Sequence, residues 1–187
     1  MQISHNANEI NKTRTELGFS DKDIVFVYSG SAAGWQSFAV LEEFVKKAFA
    51  ANPTIKLLFL GKADGVKKLA QQYPNKVVQK WVDANEVPKY LKAVDYGLLV
   101  REESVTNKVS SPVKFAEYLA AGLPVIISEH IGDYSNFVQK ENCGTLTSVI
   151  NWSTLQRPDA SKKQAIQQLA EKYFRKSAYT KAYRRLF

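Results

Sequence analysis

An α/β fold, with a doubly wound parallel sheet of about six strands and helices trailing at the C-terminal end, is predicted by two features of the sequence. Short apolar runs alternate along the chain with amphipathic stretches at helical spacing. The runs are near-continuously apolar, as in parallel strands covered on both faces.

The elements follow in order. Residues 7–17 read as a short leading helix. The strands are IVFVYSG (24–30), IKLLFLG (55–61), KVVQKW (76–81), YGLLV (96–100), PVIIS (124–128) and GTLTSV (144–149). They are short, rich in branched and aromatic residues, and several close on Gly or a small polar residue. Helical patterns fill 36–51, 64–73, 85–93, 112–121 and about 131–140. Residues 159–187 read as one or two basic trailing helices. Right-handed crossovers between such strands give one Rossmann-like domain over 1–187.

Composition narrows the function classes. The 45% hydrophobic content argues for a folded core. The single cysteine, Cys143, rules out a disulfide within one chain and fits a cytosolic setting as a buried, inert thiol. No stretch reaches the roughly twenty apolar residues of a membrane span. The polar N-terminus is not a signal peptide. The net charge of +8 is concentrated at the end, where 161–187 holds eight basic residues against one acid, Glu171. Three readings stand for that segment: a solvated helical face, contact with anionic lipid on the inner face of a membrane, or contact with a phosphate-bearing ligand. No nucleic-acid module is visible and no nucleic acid is expected.

Open parallel sheets bind ligands beyond the carboxyl ends of their strands. The relevant loops are 30–36, 61–64, 81–85, 101–111 and 129–134. The fourth is followed by SSPVKFAEYLAAGLPVIIS, residues 110–128. Ser111 is placed to cap a helix, Pro112 fits its first position, Gly122 fits the left-handed position past its end, and Pro124 prevents continuation. Val113, Ala116, Leu119 and Ala120 should face the sheet, with Lys114, Glu117, Tyr118 and Ala121 on another face. The helix start, with the hydroxyls of Ser110 and Ser111, forms an anion site suited to a diphosphate. Lys114 and Glu117 read either as an ordinary surface pair three residues apart or as ligand contacts.

The order of these features resembles the C-terminal, nucleotide-sugar-binding domain of GT-B glycosyltransferases, in particular the large retaining family that builds bacterial surface polysaccharides and lipid-linked sugars. The string SP-x-K-x-x-EY-x-A-x-G-x-PVI after the fourth strand carries most of the likeness. TRTELGFSDKDIVFVYSG, LLFLGKADGVKKLA, EVPKYLKAVDYGLLV, NCGTLTS and the closing YFRKSAYTKAYRRLF extend it over nearly the whole chain. The resemblance implies transfer of a sugar from a nucleotide-sugar to an acceptor hydroxyl, with no metal or prosthetic group. It implies that Glu117 holds the ribose, that Gly30 lies by the phosphates, and that the main chain at Val82 meets the base. Ser31, Gly61, Lys62, Arg101, Ser110, Ser111 and Lys114 complete the expected donor site. Trp81 either stacks nearby or is buried at its strand end. A GT-B enzyme has two such domains, so the chain is expected to be a C-terminal part. The acceptor glycan or lipid-linked sugar, and the main catalytic groups, would belong to the other half.

The sequence departs from that family in two places. A further acid is usual eight positions before the signature glutamate, where Val109 stands, so Glu102 or Glu103 would have to serve. Basic residues are usual after the first strand, where Ser31 and Gln36 stand, leaving Lys62, Arg101, Lys108 or Lys114 to compensate. The alternatives to a transferase are a nucleotide-binding or scaffold module without turnover, and a basic membrane- or nucleic-acid-contacting domain. Asp21-Lys22-Asp23 precedes the first strand and reads as a surface turn, not a metal motif. His130 falls at the ligand edge, either as a loop residue without a role or as a contact to sugar or phosphate.

Overall fold

The computed structural model describes residues 7–30, 38–108 and 113–174. Its strands are β1 (Ile24–Ser29), β2 (Ile55–Leu60), β3 (Val77–Lys80), β4 (Tyr96–Leu99), β5 (Val125–Ile127) and β6 (Gly144–Leu146). Its helices are α1 (Ala7–Glu16), α2 (Phe38–Ala51), α3 (Asp64–Gln72), α4 (Val87–Lys92), α5 (Val105–Lys108), α6 (Val113–Ala120), α7 (Tyr134–Lys140) and α8 (Ala160–Phe174). All strand pairs are parallel, in the order β3-β2-β1-β4-β5-β6. The chain steps one way from β1 to β3 and the other way from β4 to β6. The topological switch therefore lies between β1 and β4, as the predicted doubly wound sheet requires.

Strand alternation divides the core in two. Val25 and Val27 point to one face, with Leu58, Leu60, Leu99, Val125 and Ile127, under α4, α6, α7 and α8. Ile24, Phe26 and Tyr28 point to the other, with Leu57, Phe59, Leu98 and Ile126, under α2 and α3. Both faces of β1 are buried, as its apolar run from Ile24 to Tyr28 requires.

The helix over 113–120 ends as the sequence predicts. Gly122 has φ 77°, its N–H donates to the Leu119 carbonyl at 2.9 Å, and the Leu123 N–H donates to the Tyr118 carbonyl at 2.9 Å. This is a Schellman stop. The expected cap and first position, Ser111 and Pro112, lie outside the described residues. The buried face differs from expectation. Phe115, Tyr118 and Leu119 are buried, whereas Val113 is 73% exposed and Ala120 is exposed. The spacing i, i+3, i+4 is kept but rotated, because the buried Tyr118 hydroxyl finds a hydrogen-bond partner that helical spacing alone does not reveal. The short α5, inside the predicted loop 101–111, was also not expected.

At the amino edge of the sheet a buried ion network ties β1 to β4. Asp95 Oδ2 accepts from the Val25 N–H (2.8 Å) and from Arg14 Nη1 (3.1 Å), and Oδ1 accepts from Arg157 Nε (3.1 Å). Arg14 also donates to the carbonyls of Ala93, Ser20 and Asp23. The basic end is partly drawn into this edge. Lys163 Nζ donates to the Val94 carbonyl (3.0 Å) and Lys162 Nζ to that of Asn142 (2.6 Å), so these two lysines dock α8 rather than form a solvated face. The basic residues from Arg175 onward lie outside the described residues.

Candidate functional site

The β1–β4 ladder pairs Phe26 with Tyr96 and Val27 with Gly97, while β1–β2 continues to Ser29 and Leu60. The strands part at the carboxyl edge, where the crevice of an open α/β sheet is expected. Gly30 and Gly61 turn the chain out of β1 and β2 with φ of 127° and 155°, values that L side chains rarely adopt. A Cβ on Gly61 would run into the Gly30 carbonyl. The Gly30 N–H donates to the Leu60 carbonyl (2.8 Å) and the Gly61 N–H to that of Lys80 (2.9 Å).

Five predicted residues meet in one cleft of about 360 Å³: Gly30, Gly61, Lys62, Trp81 and Val82, with Ala84 and Val87 completing its wall. Trp81 is 58% exposed, so the buried strand-end reading does not hold. Lys62 Nζ lies 4.5 Å from the centre of the Trp81 ring, a cation–π contact at the cleft mouth. A larger cleft of about 470 Å³ lies at the opposite edge, between the starts of β4 and β6 and the 150–159 segment. It is far from the loops that converge on the switch point.

Lys114 and Arg101 form the second part of the site. Lys114 reaches back from the first turn of α6 to place Nζ 4.6 Å from the centre of the Tyr28 ring. A Cβ on Gly30 would stand within 2.6 Å of Lys114 Cε, so the glycine makes room for the lysine. Arg101 follows β4 and is 5% exposed, with Nη1 donating to Asn107 Oδ1 at 3.3 Å and its N–H to Ser128 Oγ at 2.9 Å. Burial, then the neighbouring Arg101, brings Lys114 down to about 8, with Glu117 opposing. Burial likewise lowers Arg101 and pushes Tyr28 up to about 12. A half-buried lysine and a buried arginine thus lie near one another. Lys114 is therefore more than half of a surface pair. Glu117 itself is exposed, and its carboxylate acts on Lys114.

Tyr28, Tyr118, Gly97 and Asn107 were not among the predicted residues. Tyr118 is fully buried, its hydroxyl accepts the Ser29 N–H at 3.0 Å, and its ring occupies the space that a Cβ on Gly97 would need. Asn107, also fully buried, joins Arg101 to the carbonyl of Glu102. The sequence carried a faint signal in the glycine at the centre of an otherwise apolar strand.

Other predicted groups are placed elsewhere. Lys108 pairs with Glu103 at 2.8 Å on the surface, and this pairing, with His130 nearby, lowers the Glu103 carboxyl. His130 is exposed with φ 60°, and it does have an acidic neighbour. Ser31, Gln36, Val109, Ser110 and Ser111 lie outside the described residues. Cys143 is buried, and burial pushes its thiol up to about 11. Asp21 and Lys22 sit in a turn, while Asp23 accepts from the Ser20 N–H and hydroxyl. Among the described residues there is no group of three or more His, Cys, Asp or Glu suited to a metal, and no helix long and apolar enough to cross a membrane.

The model of the family "Glucosyltransferase 3-like, C-terminal domain" matches residues 37–182, most of the chain. The chain belongs to this glucosyltransferase 3-like family. Over 88 residues it is 30% identical to the putative teichuronic acid biosynthesis glycosyltransferase TuaH of Bacillus subtilis, covering 45% of this chain and 22% of TuaH. WaaG, a glycosyltransferase involved in lipopolysaccharide biosynthesis, shares the fold with a TM-score of 0.66 at 19% identity, over 94% of this chain and 50% of WaaG. HepE of Anabaena, solved with UDP, shares it with a TM-score of 0.58 at 19% identity, over 90% of this chain and 44% of HepE. This glucosyltransferase 3-like domain thus spans about half the length of those structural relatives. The fold and the family agree with the resemblance carried by the SP-x-K-x-x-EY string.

Proposed function

We propose that this chain is the donor-binding half of a glycosyltransferase that moves a sugar from a nucleotide-sugar to an acceptor hydroxyl, in the synthesis of surface polysaccharide or glycolipid. The observation that carries the reading is the placement of half-buried Lys114 against Gly30 at the switch point, with the buried Arg101 close enough to act on it. Holding two cations near one another and partly out of water is costly. A bound diphosphate offsets that cost and is the ligand such an arrangement suits. TuaH, WaaG and HepE support the same class, by name or by the bound UDP of HepE.

In this reading the diphosphate lies over Gly30, between Lys114 and Arg101. The base lies in the cleft by Trp81 and the main chain of Val82, and Glu117 accepts hydrogen bonds from the ribose. In the reaction the bond from the anomeric carbon to the phosphate oxygen breaks, and its electrons stay on the departing nucleoside diphosphate. Arg101 and Lys114 stabilise that growing charge. The acceptor oxygen bonds to the anomeric carbon, and its proton passes to the departing diphosphate oxygen. The acceptor and the remaining catalytic groups are assigned to the other half of the enzyme. The reading calls on no metal and no prosthetic group. It places the protein in the cytoplasm, with any contact to anionic lipid left to the basic residues from Arg175 onward.

The test is thermal denaturation of the chain with UDP, GDP and ADP at millimolar concentration. One of them raises the midpoint, and Glu117→Ala removes the rise. No shift with any of the three contradicts the reading.

A further inference from the structure

Tyr118 sits where the sheet stops being a sheet. Along β1 the N–H groups of Ile24 and Gly30 donate toward the β2 side, to Thr54 (3.0 Å) and Leu60 (2.8 Å). Strand alternation turns the N–H groups of Val25, Val27 and Ser29 toward β4. The β1–β4 register ends at Val27 and Gly97, so no β4 residue pairs with Ser29. The Ser29 N–H is buried and instead donates to the Tyr118 hydroxyl at 3.0 Å. The hydroxyl takes the place of the next rung, and the ring fills the space left by Gly97.

We infer that Tyr118 is a positioning residue that holds the nucleotide crevice open and fixes the Gly30 turn. The inference rests on the donor-site reading. The hydroxyl satisfies the one N–H that would otherwise draw β1 toward β4 or admit water. The next residue is Gly30, against which Lys114 lies, one turn before Tyr118 on the same helix. A single hydrogen bond therefore sets the glycine turn and the lysine in register across two elements. Tyr118 touches no ligand in this scheme, being fully buried. Burial raises its phenol, so the hydroxyl stays neutral across the physiological range.

The test uses the whole chain and two readouts. In Tyr118→Phe, the Ser29 amide exchanges with solvent at least ~10-fold faster, measured by NMR without nucleotide, while core amides of β2 keep their protection. Affinity for whichever of UDP, GDP or ADP binds falls about 5- to 10-fold by calorimetry, the loss expected from one buried hydrogen bond. Gly97→Ala, which crowds the ring from the strand side, moves both readouts the same way if Tyr118→Phe does not fold. Ile166→Val, a core truncation under α8, moves neither. If the wild-type chain binds none of the three nucleotides, the donor-site reading fails, and this inference fails with it. If the wild type binds and Tyr118→Phe binds equally well, or the Ser29 amide stays protected, the donor site stands and the positioning role is overturned.

Discussion

The seam between β1 and β4 is closed by a side chain at each end, and the two closures differ. At the amino end Asp95 accepts the Val25 N–H and also meets Arg14 and Arg157. At the carboxyl end Tyr118 accepts the Ser29 N–H, and the charges nearby are Lys114 and Arg101, each lowered by burial. At one end a buried carboxylate holds two arginines in direct ion pairs, and at the other Lys114 and Arg101 lie near one another, with Glu117 acting on Lys114. The first arrangement gives a buried network whose partners depend on each other. The second is held in place by the rest of the fold and suits an anion from outside. In the proposed reading, one pair of strands carries a structural end and a ligand end.

The sharpest way to break this contrast is to remove the acid that holds the two arginines. Asp95→Ala leaves Arg14 buried without its carboxylate and should cost about 3–5 kcal/mol in urea unfolding. The folded fraction should keep its nucleotide affinity. At the other end, Lys114→Met should do the reverse. Diphosphate affinity falls about 10- to 100-fold, as for loss of a charge-assisted hydrogen bond, while the unfolding midpoint stays level or rises. Calorimetry and denaturant titration on the same variant separate the two outcomes.

A milder perturbation is pH. Lys114 has a folded value of about 8, below its ordinary value of 10.5. Between those values the unfolded chain binds the extra proton, so this group favours folding more as pH rises through the window. Nucleotide affinity should move the opposite way and decline as pH passes 8, because the cation is lost. Affinity and stability measured at pH 7 and pH 9 should therefore diverge. The smallest effect is expected at the surface pair Lys108 and Glu103. Lys108→Ala should leave both readouts within error, since both partners are exposed.

The sequence made the sheet legible because its strands are buried on both faces and so read as unbroken apolar runs. Gly30, Gly61, Lys62, Trp81 and Val82 were legible as a group because strand order brings consecutive loops to one edge. What stayed hidden depended on rotation and depth. Tyr118 read as a polar-face residue because its hydroxyl partner lies far away in the chain, at Ser29. Arg14 and Asp95 were likewise invisible as a pair, since 81 positions separate them. Lys114 read as either a surface partner or a ligand contact, and only the room above Gly30 decides that it turns inward.

The most direct test of the central claim is an NMR titration of the Lys114 side chain, following its ε-carbon with and without a bound nucleoside diphosphate. Midpoint values near 8 alone, and well above 8 in the complex, are the predicted result. A midpoint at the ordinary lysine value, or one that the nucleotide leaves unmoved, would contradict the assignment of this edge as the diphosphate site.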